Sequence, residues 1–275
     1  MGEFSNKYII NRSTQDKGHS MSGDLLNSLR ERRKERVAEI RDTDSRMPKA
    51  QKNKILSLEK GIQKRDAEKG YVVGRNGEIL AETPNSGFKI GEGQVSKTAE
   101  FNPKDLIRAS QIDRDSILTH NHPGFQEKDI YDTFGIKTPL TGAQWQDLAG
   151  RVGNTLSPGD LSVAISTGLK GVRAKTYGGY TYSVERRGDS WGVDSSDFEK
   201  EYKQLKRQYS IEYQHRTSGD NTLQQTILKG QMGITPSKQD METTLRYLHR
   251  ANVAGSHKAL KELSKKYGFI YTRHS

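Results

Sequence analysis

Near the middle of the chain the run Ser116-Ile117-Leu118-Thr119 ends in His120-Asn121-His122-Pro123-Gly124, and Ser157-Pro158-Gly159-Asp160 follows after a polar stretch. The first segment reads as a short strand that stops at two histidines. The second is a helix start: serine at the N-cap, proline at the first helical position and an acid in the first turn. That helix is expected to run from Leu161 to Thr167 and to stop at Gly168. Val172–Thr176 and Tyr180–Val184, separated by Gly178-Gly179, then form a hairpin. A strand, a helix and a hairpin in this order confine the centre of the chain to a mixed α/β (α+β) core.

A second hairpin is expected upstream. Tyr71-Val72-Val73 and Ile79-Leu80-Ala81 flank Arg75-Asn76-Gly77-Glu78, and Asn-Gly between β-prone runs is a strong turn signal. Residues 95–110 are expected to hold a short strand and then a helix entered at Asn102-Pro103. The flanks read differently. Residues 1–24 lack periodicity and read as a mobile arm. Residues 25–67 read as a basic helical hairpin broken at Met47-Pro48, with Ile55, Leu58 and Ile62 on one face of its second helix. After a Gly/Asp/Ser linker at 188–196, residues 197–275 read as a basic helical region. In it Phe198, Tyr202, Leu205, Tyr209 and Tyr213 form one stripe, which is expected to pack on another element.

Charge separates these parts. The net charge is +11 over 275 residues, but Lys+Arg against Asp+Glu is 14 to 8 over 28–69, 14 to 15 over 70–195 and 14 to 8 over 196–275. The centre is near neutral and the flanks are basic, so nucleic acid or a larger assembly is a candidate partner for the flanks alone. No apolar run is long enough to span a membrane, and no membrane partner is expected. With no cysteine, a metal site here has only histidine and carboxylate to draw on.

His120 and His122 alternate by two, so on a strand they project to the same face. Two imidazoles and one carboxylate suffice for catalytic zinc, and Asp160 is placed to be the third ligand if its helix packs beside the strand end. Ser157 would then lie where a hydroxyl can donate to a developing oxyanion. The competing reading makes His120 and His122 polar residues satisfied by backbone and water. Ser157 and Asp160 cap their helix in either case. The other histidines, His19, His215, His249, His257 and His274, have no partner at ligand spacing and are expected at the surface.

The pattern His120-x-His122-Pro123 followed by Ser157-x-x-Asp160 resembles the JAB/MPN metalloprotease superfamily and its JAMM motif. It is similar also to JAB-like domains of phage head-associated and mobile-element proteins. The resemblance spans residues 68–187, with an insertion at 124–156 where the family has a shorter spacer. It implies a JAB/MPN-like (cytidine-deaminase-like) mixed sheet with helical N- and C-terminal extensions. It also implies Zn2+ held by His120, His122 and Asp160, a glutamate that deprotonates the attacking water, and Ser157 steadying the tetrahedral intermediate. Glu68, just before Gly70-Tyr71-Val72-Val73-Gly74, occupies the place of that glutamate, with Glu78 and Glu82 as alternatives.

The activity implied is a zinc-dependent hydrolase that cleaves a peptide or isopeptide bond, with a protein or ubiquitin-like substrate. The competing function is a noncatalytic JAB-fold module whose basic flanks bind nucleic acid or other subunits. A cytoplasmic or phage-particle location suits both.

Overall fold

The computed structural model divides the chain into two units, residues 1–39 and Ile40–Ser275, and the description below concerns the second. It describes residues 47–65, 67–84, 101–122, 154–217 and 237–274, the backbone of 89–91 and 94–96, and scattered positions between 225 and 234. The N-terminal arm, the first helix of the expected 25–67 hairpin and the insertion up to residue 153 lie outside the described residues.

The elements are α1 (Lys49–Ile62), β1 (Gly70–Val73), β2 (Ile79–Glu82), β3 (Lys89–Gly91), β4 (Gln94–Ser96), α2 (Pro103–Ile112), β5 (Ile117–His122), α3 (Pro158–Thr167), β6 (Gly171–Thr176), β7 (Thr181–Glu185), α4 (Ser195–Thr217), α5 (Lys238–Tyr267) and β8 (Ile270–His274). Six strands form one mixed sheet in the order β2-β1-β5-β6-β7-β8, while β3 and β4 pair separately. Among the described strands only β5 and β6 run parallel, and α3 lies in the crossover between them. The mixed α/β class, both hairpins, α2 with Asn102 as its cap, and the helix opened by Ser157 are as the sequence predicts. Gly168 ends α3 at φ 73°, a left-handed conformation that glycine adopts without a side-chain clash.

All six residues of β5 are buried, so both faces of the sheet are covered at its centre. On one face Ile117 packs with Met47, Ile55 and Val73, which places α1 there. On the other, Val72, Leu118, Val172 and Tyr182 join Leu161 of α3, Phe198 and Tyr202 of α4, and Leu260 and Leu263 of α5 in the main core. The aromatic stripe on α4 does pack: Phe198 and Tyr202 are fully buried. Close approach of α4 and α5 depends on Gly255, where a Cβ would meet the Lys206 carbonyl oxygen at 2.6 Å.

Three expectations for the C-terminal part are corrected. The region expected to stay helical ends in β8, which pairs antiparallel with β7 and completes the sheet edge. The 188–196 linker carries Trp191, whose buried indole donates to the Leu169 carbonyl at 3.0 Å. His249 is buried rather than exposed, and half-buried His257 lies 2.5 Å from the Tyr271 hydroxyl. Polar sequence context concealed these because the partners come from distant segments. Among the described residues, no helix is long and apolar enough to cross a membrane.

Candidate metal centre

Strand alternation sends Leu118, His120 and His122 to the α3 side of β5, and Thr119 and Asn121 to the α1 side. Both imidazoles are buried, at 5% and 6% exposure. The N-terminus of α3 stands over the carboxyl end of β5, where α/β sheets ordinarily place their ligands.

Ser157 and Asp160 close a capping box: the serine Oγ accepts from the Asp160 amide at 3.1 Å, and Asp160 Oδ2 accepts from the Ser157 amide at 2.6 Å. The same carboxylate faces both rings. Asp160 Oδ1 is 3.4 Å from His120 Nε2, and Oδ2 is 3.5 Å from His122 Nε2. The two Nε2 atoms are 2.9 Å apart. Capping and convergence on the histidines thus coexist in one side chain.

The donor set suits a divalent metal ion. Each Nε2 lies within 3.5 Å of one oxygen of Asp160, and the three residues bring one donor atom each to within 4.8 Å of one another. His122 Nδ1 donates to the Asn154 carbonyl at 3.0 Å, which leaves Nε2 as the electron-pair donor of the neutral ring. Backbone anchoring of the second nitrogen is how metal-ligating histidines are commonly oriented. The Asn154 segment is held in turn by the buried Tyr202 hydroxyl, which donates to the Leu156 carbonyl at 2.8 Å. His120, His122 and Asp160 therefore form a group that could hold a metal ion.

The electrostatics are those of a compressed ionic cluster. Burial alone would lower the His122 pKa, but the hydrogen bond and charge of Asp160, with smaller contributions from Glu68 and the Asn154 carbonyl, lift it to about 9. Burial would raise Asp160, yet the charges and hydrogen bonds of His120 and His122 hold it well below the usual carboxylate range.

Glu68 sits half-buried on the connection between α1 and β1, and its charge is felt at His122. Asn121, between the two histidines but facing the other way, fixes that connection. Its Oδ1 accepts from the Lys69 amide at 2.7 Å, and its Nδ2 donates to the Ala67 carbonyl at 3.2 Å. Glu78 lies on the turn beyond Val73, which pairs with Ile117 at the far end of β5 from the histidines. Glu82 is on the edge strand, 60% exposed and 3.3 Å from the Lys69 ammonium. Of the three candidate glutamates, Glu68 is the one whose charge contributes to raising His122.

Sequence reasoning missed what lies behind the centre. Glu59 of α1 is buried on the opposite face of the sheet, where it accepts from Arg173 Nε of β6 at 2.7 Å and from the Thr119 hydroxyl at 3.1 Å. The clue was present in the helix: Gln51, Ile55, Glu59 and Ile62 form its buried stripe, so one acid falls on an inward position. Gly70 also matters here, since a Cβ would strike the Phe101 ring at 2.6 Å and approach His120 Cβ at 3.2 Å. Comparison of the chain with protein-family models, with curated proteins and with solved structures found no match.

Proposed function

We propose that this protein is a zinc-dependent hydrolase of the JAB/MPN type, cleaving a peptide or isopeptide bond with an activated water. The observation that carries the reading is that donor atoms of His120, His122 and Asp160 lie within 4.8 Å of one another, at the start of a helix capped by Ser157. His120, His122 and Asp160 would hold the ion. Zinc in such a site lowers the pKa of water to about 7 and polarises a carbonyl oxygen.

The remaining work falls to the chain itself. The Glu68 carboxylate, steadied through Asn121, accepts the proton of the attacking water and returns it to the leaving amine. The Ser157 Oγ accepts from the Asp160 amide, so its own proton remains available to donate to the oxyanion that forms as the carbonyl is attacked. Ser157, Pro158 and Asp160 are partly exposed at the start of α3.

Elemental analysis of the purified chain tests the metal, and a fluorogenic peptide library tests the reaction. One zinc per chain, lost in His120→Ala, together with cleavage lost in Glu68→Gln at retained zinc, is the expected result. Substoichiometric zinc that His120→Ala leaves unchanged overturns the proposal.

A further inference from the structure

A cavity of about 430 Å³ lies between α4 and α5 and reaches Pro158, the first residue of the helix that carries Asp160. Its cationic wall is Lys203, Lys206 and Arg207, and its apolar lining includes Pro158, Ile211 and Leu248. Lys203 is engaged by Glu199 at 2.5 Å, whereas Lys206 is half-buried and makes no ion pair within 4 Å among the described residues. Burial depresses the Lys206 pKa, and the charge of Asp160 opposes this. A half-buried cation without a close counterion is stabilised by an anion brought to it.

We propose that this cavity is the subsite for an acidic side chain of a peptide, with Lys206 determining the preference for it. The inference rests on the hydrolase reading only in calling that peptide a substrate. Among the described residues no aromatic ring lines the cavity to stack a base, so a peptide fits it better than nucleic acid.

The test uses the full chain and two labelled, end-blocked hexapeptides, one with alternating glycine and glutamate and one with glutamine in place of glutamate. Fluorescence anisotropy at physiological salt should show the glutamate peptide binding on the order of tenfold or more tightly, the worth of one charge-assisted hydrogen bond. Lys206→Gln should abolish the preference, while Lys206→Arg and Lys104→Gln, the latter exposed on α2, should keep it. Circular dichroism confirms that the variants fold. Equal affinity for the two peptides overturns the inference, as does an equal loss in Lys104→Gln, which would indicate diffuse attraction to a basic protein. A Lys206-dependent, tighter complex with a single-stranded hexadeoxynucleotide overturns it in favour of nucleic acid. Zinc content of the same samples separates the two proposals: charge preference without zinc sustains the subsite and removes the hydrolase, and zinc without preference does the reverse.

Discussion

Asn121 and Lys69 are joined twice: the asparagine Oδ1 accepts from the Lys69 amide at 2.7 Å, and the Asn121 amide donates to the Lys69 carbonyl at 3.2 Å. The residue between two ring-bearing positions therefore faces away from them and holds the segment that carries Glu68. Asn121→Ala should leave any bound metal in place but speed amide exchange at Lys69 by about tenfold, the worth of one buried hydrogen bond. Hydrogen exchange followed by NMR checks this, and an unchanged Lys69 rate would contradict the pinning role.

A proton and the proposed metal ion would compete for His122 Nε2. Because the His122 pKa is lifted to about 9, metal uptake between pH 7 and 8 should release about one proton from this ring. Calorimetry in two buffers of different ionisation enthalpy measures the number, and apparent affinity should rise about tenfold per pH unit up to pH 9. The chelated protein should show the converse. Its His122 contribution, raised above the ordinary value of 6.5, is complete below pH 6.5 and lost as pH rises through 9. The Asp160 contribution is present above the ordinary value of 3.8 and lost as pH falls below it. The melting temperature of the chelated protein should therefore fall between pH 6.5 and 9, and a flat profile would refute the pairing.

The Glu59–Arg173 pair is dry on both sides, with side-chain exposures of 2% and 4%. Arg173→Met leaves a buried carboxylate unpaired and should cost about 3–5 kcal/mol in urea unfolding, while adding Glu59→Met should recover most of it. Burial would raise the Glu59 pKa, but Arg173, with Lys175 and the Thr119 hydroxyl, lowers it, so the pair stabilises above the ordinary value of 4.5 and is lost on acidification. The double variant should lose this acid sensitivity.

At Gly255 two effects oppose one another. Glycine to alanine in a helix interior ordinarily gains about 1 kcal/mol, but here the new Cβ meets the Lys206 carbonyl at 2.6 Å and the Ser210 amide nitrogen at 2.8 Å. Backbone cannot step aside as a side chain can, so overpacking of about 1–3 kcal/mol should win. Gly255→Ala is expected to lower the melting temperature, and a rise would show that α4 and α5 part readily.

Local chemistry in the sequence determined the pieces of this protein. Asn76-Gly77 turns β1 into β2, Ser157-Pro158-Gly159-Asp160 starts α3, and Gly168 stops it, because each signal acts within a few residues. The spacing of His120 and His122 likewise put both rings on one face, since alternation is a property of any strand. Only the tertiary structure decided what those pieces meet. The C-terminal residues became the edge strand β8, an acid on α1 became the partner of Arg173, and Asn121 was turned to hold the Glu68 segment. The parallel crossover from β5 through α3 to β6 brought Asp160 back to the two histidines across the long insertion. Chain separation carries no signal about such meetings, because they depend on how buried surfaces of distant elements fit and on which charges find a counterion there.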